Sequence, residues 1–90
     1  MIEDCKIRAF LAVVDQGSFT AAARSLGITQ PAVSSQIASL EASLGFALFQ
    51  RGRFLALTPE GESFLPYARR IQAAYDLANS TFGPLPLAYK

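Results

Sequence analysis

The sequence predicts a mainly α fold: three helices, a two-stranded β-wing and a long closing helix. Three observations carry this. Apolar residues recur at helical spacing over most of the 90 residues. One segment, Ala47 to Thr58, breaks that period. After it an apolar row returns with a period near 3.5.

The first helix is expected from about Glu3 to Gln16. Ile7, Phe10, Leu11 and Val14 fall at i, i+3, i+4 and i+7, one apolar stripe. Gly17 suits the helix end, and Ser18 can cap the next start. A short second helix follows, roughly Phe19 to Leu26, with Ala22, Ala23 and Leu26 as its buried face. Gly27 ends it. Thr29 or Gln30 caps a third helix, whose first turn tolerates Pro31 because its missing N–H costs little there. Val33, Ile37, Leu40 and Leu44 share one face, and Gly45 stops the run.

The stretch Phe49-Gln50-Arg51-Gly52-Arg53-Phe54-Leu55-Ala56-Leu57 reads as two short strands around a tight turn at Gly52. Thr58-Pro59-Glu60 restarts a helix that should reach Ser80 or Phe82. Phe64, Ala68, Ile71, Tyr75, Ala78 and Phe82 alternate spacings of four and three, a heptad seam suited to a second copy of the chain. Packing against its own domain is the bland reading of that seam. Pro66 should bend the helix or leave its first turn loosely attached. Gly83 to Lys90 cannot extend it.

Composition narrows the function. Fifteen alanines favour closely packed helices. The lone Cys5 forms no intrachain disulfide, and the absence of histidine excludes a zinc finger. No cofactor or metal is expected. No apolar run is long enough for a bilayer, and the first residues do not resemble a signal peptide. A soluble, reducing, cytoplasmic setting is expected, with no membrane partner. Paired carboxylates in a plausible cleft and phosphate loops are missing, so an enzyme is not expected. Net charge is +1, too small to argue for nucleic acid on its own.

Position makes the case for nucleic acid. Helix two, a three-residue break at Gly27-Ile28-Thr29, then helix three is helix-turn-helix spacing. With Val33, Ile37 and Leu40 turned inward, Pro31, Ser35, Ala38 and Ser39 point outward, flanked by Gln30, Ser34 and Gln36. No charge occurs from Gln30 to Ser39. An ordinary solvated face would carry Lys and Glu; this one suits a fit against another surface. Gln30 can bond a base edge, Ser34 and Ser35 can reach bases or phosphates, and Pro31 can touch a thymine methyl. Ser18, Thr20 and Thr29 stand where hydroxyls and backbone N–H groups hold phosphates. Arg51 and Arg53 can reach a neighbouring phosphate or minor groove. Such spacing alone also occurs in helical domains that bind no DNA, and the serines and wing arginines can equally be plain surface.

Taken together, Gly17-Ser18-Phe19-Thr20-Ala21-Ala22-Ala23, Leu26, Thr29-Gln30-Pro31-Ala32-Val33-Ser34, Gln36-Ile37, Leu40-Glu41, Leu44-Gly45, Leu48-Phe49, Arg51 and Leu57-Thr58-Pro59-Glu60-Gly61 closely resemble the N-terminal domain of LysR-type transcriptional regulators, over roughly residues 2 to 82. The resemblance implies a winged helix-turn-helix over residues 1–58, with the helix-turn-helix at about 18–37. It implies a linker dimerisation helix over 59–82, paired antiparallel with its partner's, and a hinge or added tail over 83–90. It implies sequence-specific binding of double-stranded DNA by a homodimer for transcriptional regulation in a bacterium, with tetramers at full length. Residues matching Gln30, Pro31, Ser34 and Ser35 would enter the major groove, and the wing arginines would hold backbone or minor groove.

Many relatives carry basic residues where Ser35 and Ser39 stand, and the wing here looks about one residue short. Relatives continue into a two-lobed effector-binding domain, absent from these 90 residues, where a small-molecule effector is expected. The molybdate-responsive regulators are another winged-helix class that the pattern allows. A dimeric protein-interaction module with a non-DNA-binding helix-turn-helix is the alternative from a different class.

Overall fold

The computed structural model of the protein describes residues 4–50 and 52–83. Arg51 and the tail 84–90 lie outside the described residues, as does Glu3 at the expected start of the first helix. The elements are α1 (Asp4–Gln16), α2 (Phe19–Leu26), α3 (Gln30–Leu44), β1 (Phe49–Gln50), β2 (Ala56–Leu57) and α4 (Pro59–Phe82). This is the expected winged helix-turn-helix with its long closing helix.

Local chemistry sets the helix limits. Ser18, Thr29 and Thr58 hold extended backbone, and each side-chain oxygen accepts from an N–H one turn on. Gly27 adopts φ 71°, closing α2 while the Ile28 N–H reaches back to the Ala23 carbonyl at 3.0 Å. That left-handed residue lets the chain reverse into Thr29 within three residues.

The core is built on α1. Ile7, Phe10 and Leu11 are buried as the stripe predicts, and Val14 is half-buried. Ala9 and Val13 are buried too, because α1 is flanked by α2 and α3 on one side and by α4 on another. A helix sandwiched in this way buries more than one stripe. The Phe10 ring lies 5.6 Å from Phe49 and 5.6 Å from Phe64, and Phe19 meets Phe49 at 5.7 Å. Such tilted pairs stabilise beyond their buried area. Val33, Ile37 and Leu40 of α3 belong to the same cluster, so wing, α3 and long helix share one core.

The wing differs from the expected tight turn. β1 and β2 pair antiparallel, Phe49 with Leu57 and Gln50 with Ala56. Residues 52–55 are all unpaired between them, so the reversal is longer than a two-residue turn at Gly52. Each strand is only two residues long, so little of the wing is held by backbone pairing.

Helix α4 runs from Pro59 to Phe82 with Pro66 inside it, and the loosely attached first turn that Pro66 suggests is not what the structure has. Its first turn is firmly anchored: the Thr58 N–H donates to the Leu48 carbonyl at 2.9 Å, and the Thr58 hydroxyl donates to the Ala47 carbonyl at 2.6 Å. Gly61 then lies buried directly against the Leu48 carbonyl. Further on, Arg69 bonds Asp15 at 2.9 Å, tying α4 to the end of α1. That hydrogen bond holds the Arg69 guanidinium above its usual pKa. Both side chains are about half exposed, so the pair fixes geometry more than it adds stability. No described helix is long and apolar enough to cross a membrane.

Candidate nucleic-acid interface

Val33, Ile37 and Leu40 are buried on the inner side of α3. This leaves Gln30, Pro31, Ser35 and Ala38 exposed, with Ser34 half-buried beside them. Gln36 and Ser39 are half-buried flanks rather than outward residues. The presented surface is thus the N-terminal half of α3, short, uncharged and narrow enough for a major groove.

The side chains there are partly preset. Gln30 Nε2 donates to Ser34 Oγ at 2.7 Å. The amide nitrogen has a second proton, so Gln30 can keep this bond while its other N–H and its oxygen make a paired contact with adenine. Ser35 is exposed at the centre of the face.

The hydroxyls at the helix starts already serve the backbone. Ser18 Oγ accepts from the Ala21 N–H at 3.0 Å, and Thr29 Oγ1 from the Ala32 N–H at 3.3 Å. Each hydroxyl proton remains able to turn outward to an anion, beside N–H groups of the same turn. Thr20 is exposed in the first turn of α2.

Arg53 is exposed on the wing, with its guanidinium carbon 5.9 Å from the Phe54 ring centroid. Arg51, the other expected wing cation, lies outside the described residues. Arg24, in the last turn of α2, is a further exposed cation that the motif reading did not single out.

Two positioning residues also escaped the sequence reading. The Glu41 carboxylate accepts the Leu48 N–H at 2.7 Å, joining α3 to the root of the wing. Thr58, expected only as a cap, also bonds the Ala47 carbonyl. Both hold recognition helix and wing in one frame. Their signal in the sequence is slight, because each contact spans a loop and follows no fixed period.

The expected dimerisation seam divides in two. Ala68 is fully buried inside its own domain and Phe64 packs on Phe10, so these two serve the chain's own core. Beyond them Ile71 is 38% exposed and Phe82 81%, with Tyr75 and Ala78 half-buried. The domain boundary after residue 58 likewise divides α4 from a core that its first half helps to build.

Comparison with known proteins accords with this architecture. The sequence model described as "Bacterial regulatory helix-turn-helix protein, lysR family" matches residues 6–62. The HTH-type transcriptional regulator BenM of Acinetobacter baylyi is 46% identical over 71 residues, which is 78% of this chain and 23% of that protein. A probable hydrogen peroxide-inducible genes activator of Mycobacterium xenopi is 44% identical over 71 residues, 78% of this chain and 38% of that protein. The chain thus spans less than half the length of these curated relatives, which are regulators rather than enzymes.

Among solved structures, the "BenM_DBD/benA site 1 DNA Complex" matches with TM-score 0.81 and 44% identity, covering 88% of this chain and 90% of that one. The "CbnR_DBD-DNA complex" matches with TM-score 0.81 and 36% identity, covering 88% and 92%. Oxidised OxyR of Corynebacterium glutamicum matches at 0.85 and 32%, covering 90% of this chain and 26% of that one. The four helices and the two-stranded wing agree with these matches, and the chain belongs to the lysR family of bacterial regulatory helix-turn-helix proteins.

Proposed function

We propose that this chain binds double-stranded DNA sequence-specifically, as a homodimer, and serves a transcriptional regulator of the bacterial cytoplasm. The observation that carries this reading is the outward face of α3: Gln30, Pro31 and Ser35 exposed, uncharged, and held by a buried opposite face on a frame shared with solved DNA complexes. In this reading α3 enters the major groove. Ser18, Thr20 and Thr29 hold phosphates with their neighbouring amides, and Arg51 and Arg53 hold backbone or minor groove. Ser34, Gln36 and Ser39 flank the base-reading residues.

The dimer forms through the far half of α4. Ile71 and Phe82 are exposed on one face of the helix, and Tyr75 and Ala78 lie between them on that face, half-buried. Tetramers then form at full length. A small-molecule effector belongs to a further two-lobed domain, and this domain uses no cofactor.

Selection from a randomised duplex pool at two salt concentrations tests the proposal. A two-fold-related motif should be enriched. Absence of enrichment at low salt would overturn it. Repeating the selection with Ser35→Ala should change base preference within each half-site and leave the salt slope unaltered, because Ser35 carries no charge to release counterions. Ile71→Glu should shift the sedimentation mass from dimer to monomer at micromolar concentration. An unchanged dimer would remove Ile71 from the seam.

A further inference from the structure

The wing tip carries a side chain that neither the core nor the recognition helix uses. Phe54 is 79% exposed, although five of the other six phenylalanines meet one another or pack close by in the core. The Arg53 guanidinium rides on its ring, and Leu55 beside it is partly exposed as well. An aromatic ring left in water next to a cation is an unusual surface for a small domain.

Its place in the fold gives it a direction. A groove of about 300 Å³ runs between α3 and the wing. Ser34 and Ala38 border it on the helix side, Gln50 and Phe54 on the wing side. The edge of the outward face of α3 formed by Ser34 and Ala38 and the Phe54 ring therefore flank one channel. Glu41 also lines the channel, but its carboxylate accepts the Leu48 N–H. With α3 in a major groove, a sugar-phosphate strand must pass between helix and wing before the wing meets the adjacent minor groove. Phe54 stands on the far side of that passage.

Resting on the DNA-binding reading above, we propose that Phe54 is a specificity-determining residue whose ring wedges into the minor groove flanking the half-site that α3 reads, with Arg53 beside it. An apolar wedge partly unstacks a base step, and it enters most easily at pyrimidine–purine steps, which deform most readily. The cation on the ring suits the negative potential of a narrow minor groove. The wing thereby selects for flank deformability, while α3 selects for base edges.

The chain has no tryptophan, so Phe54→Trp places a single indole at the tip. Its emission is followed while duplexes enriched by the parent chain are added, with anisotropy of a labelled duplex reporting binding independently. The indole emission should quench and shift to the blue in step with the anisotropy. Phe54→Ser should retain the half-site motif, lose its preference for a flanking TA step, and bind TA-flanked duplexes about tenfold more weakly. Full anisotropy change with unaltered indole emission would overturn the wedge and leave DNA binding by α3 standing. An emission shift that follows protein concentration without DNA would overturn it in favour of a contact between copies. Failure of the parent chain to enrich any duplex would overturn both readings together.

Discussion

Phe10→Ala is expected to lower the folding stability by about 4 kcal/mol, a large part of the roughly 5–15 kcal/mol that a folded domain possesses. The ring is fully buried, and it touches both the root of the wing and the first half of α4. Truncation therefore removes a large apolar transfer term, leaves a cavity, and deletes two aromatic pairs at once. The elements it joins lie far apart in sequence, so local rearrangement within α1 cannot refill the space. Urea unfolding followed by circular dichroism measures the effect as a lower midpoint at nearly constant slope. A loss under about 1 kcal/mol would show that the three elements are held together by something other than this ring.

Gly61→Ala is expected to cost about 2–3 kcal/mol and to lower the melting temperature by roughly 10–20 °C. At an open helical position the same change would stabilise, since alanine is the better helix former by about 1 kcal/mol. Here the sign reverses. A Cβ on residue 61 would collide with the Leu48 carbonyl oxygen and press on Leu57 Cδ2 at 3.1 Å. Relief requires α4 to lift from the loop that leads into β1, which strains the Thr58 bonds to Ala47 and Leu48. Ser63→Ala, on an exposed part of the same helix, is the control and should be nearly neutral. A Gly61→Ala variant that melted at or above the parent temperature would contradict this close approach.

Gly61 also shows why parts of the structure were hard to see in the sequence. The helix limits were legible because their causes are local: Ser18, Thr29 and Thr58 stand at starts, and Gly27 and Gly45 at ends. The inner face of α3 was legible because Val33, Ile37 and Leu40 repeat with the helix. Gly61 looked like one more residue of a first turn, yet a glycine in a helix is costly, and that cost was the signal that a backbone comes close. The seam was legible as a row, but a period of 3.5 does not say what covers it. Phe64 and Ala68 went to the chain's own core because Phe10 lies opposite them. The wing loop was misjudged as a tight turn because Gly52 suggested one, whereas pairing begins only at Gln50 and Ala56. Among the candidate contacts, the exposed face of α3 followed from geometry. The Gln30–Ser34 bond and the Glu41 bond to the Leu48 amide depend on rotamers and loop shape that no spacing encodes.

Helix α4 belongs to two regions at once, and this has a mechanical consequence. Its first three turns are locked to the globular head by Gly61, Phe64 and Ala68 and tied by Arg69; Gln72, Ala73 and Asp76 then border a groove shared with Arg8, Leu11 and Ala12 of α1, and the helix runs unbroken to Phe82. At about 1.5 Å per residue, the helix beyond Arg69 measures about 20 Å. Nothing between the head and the far end behaves as a swivel, because one unbroken helix runs through both. A tilt of about 10° imposed at the far end displaces it by roughly 3–4 Å on this length. The head must turn through the same angle, carrying α3 with it. The chain therefore conveys angle rather than tension, and in the proposed dimer whatever sets the crossing of the two long helices would also set how the two α3 faces are turned toward one another.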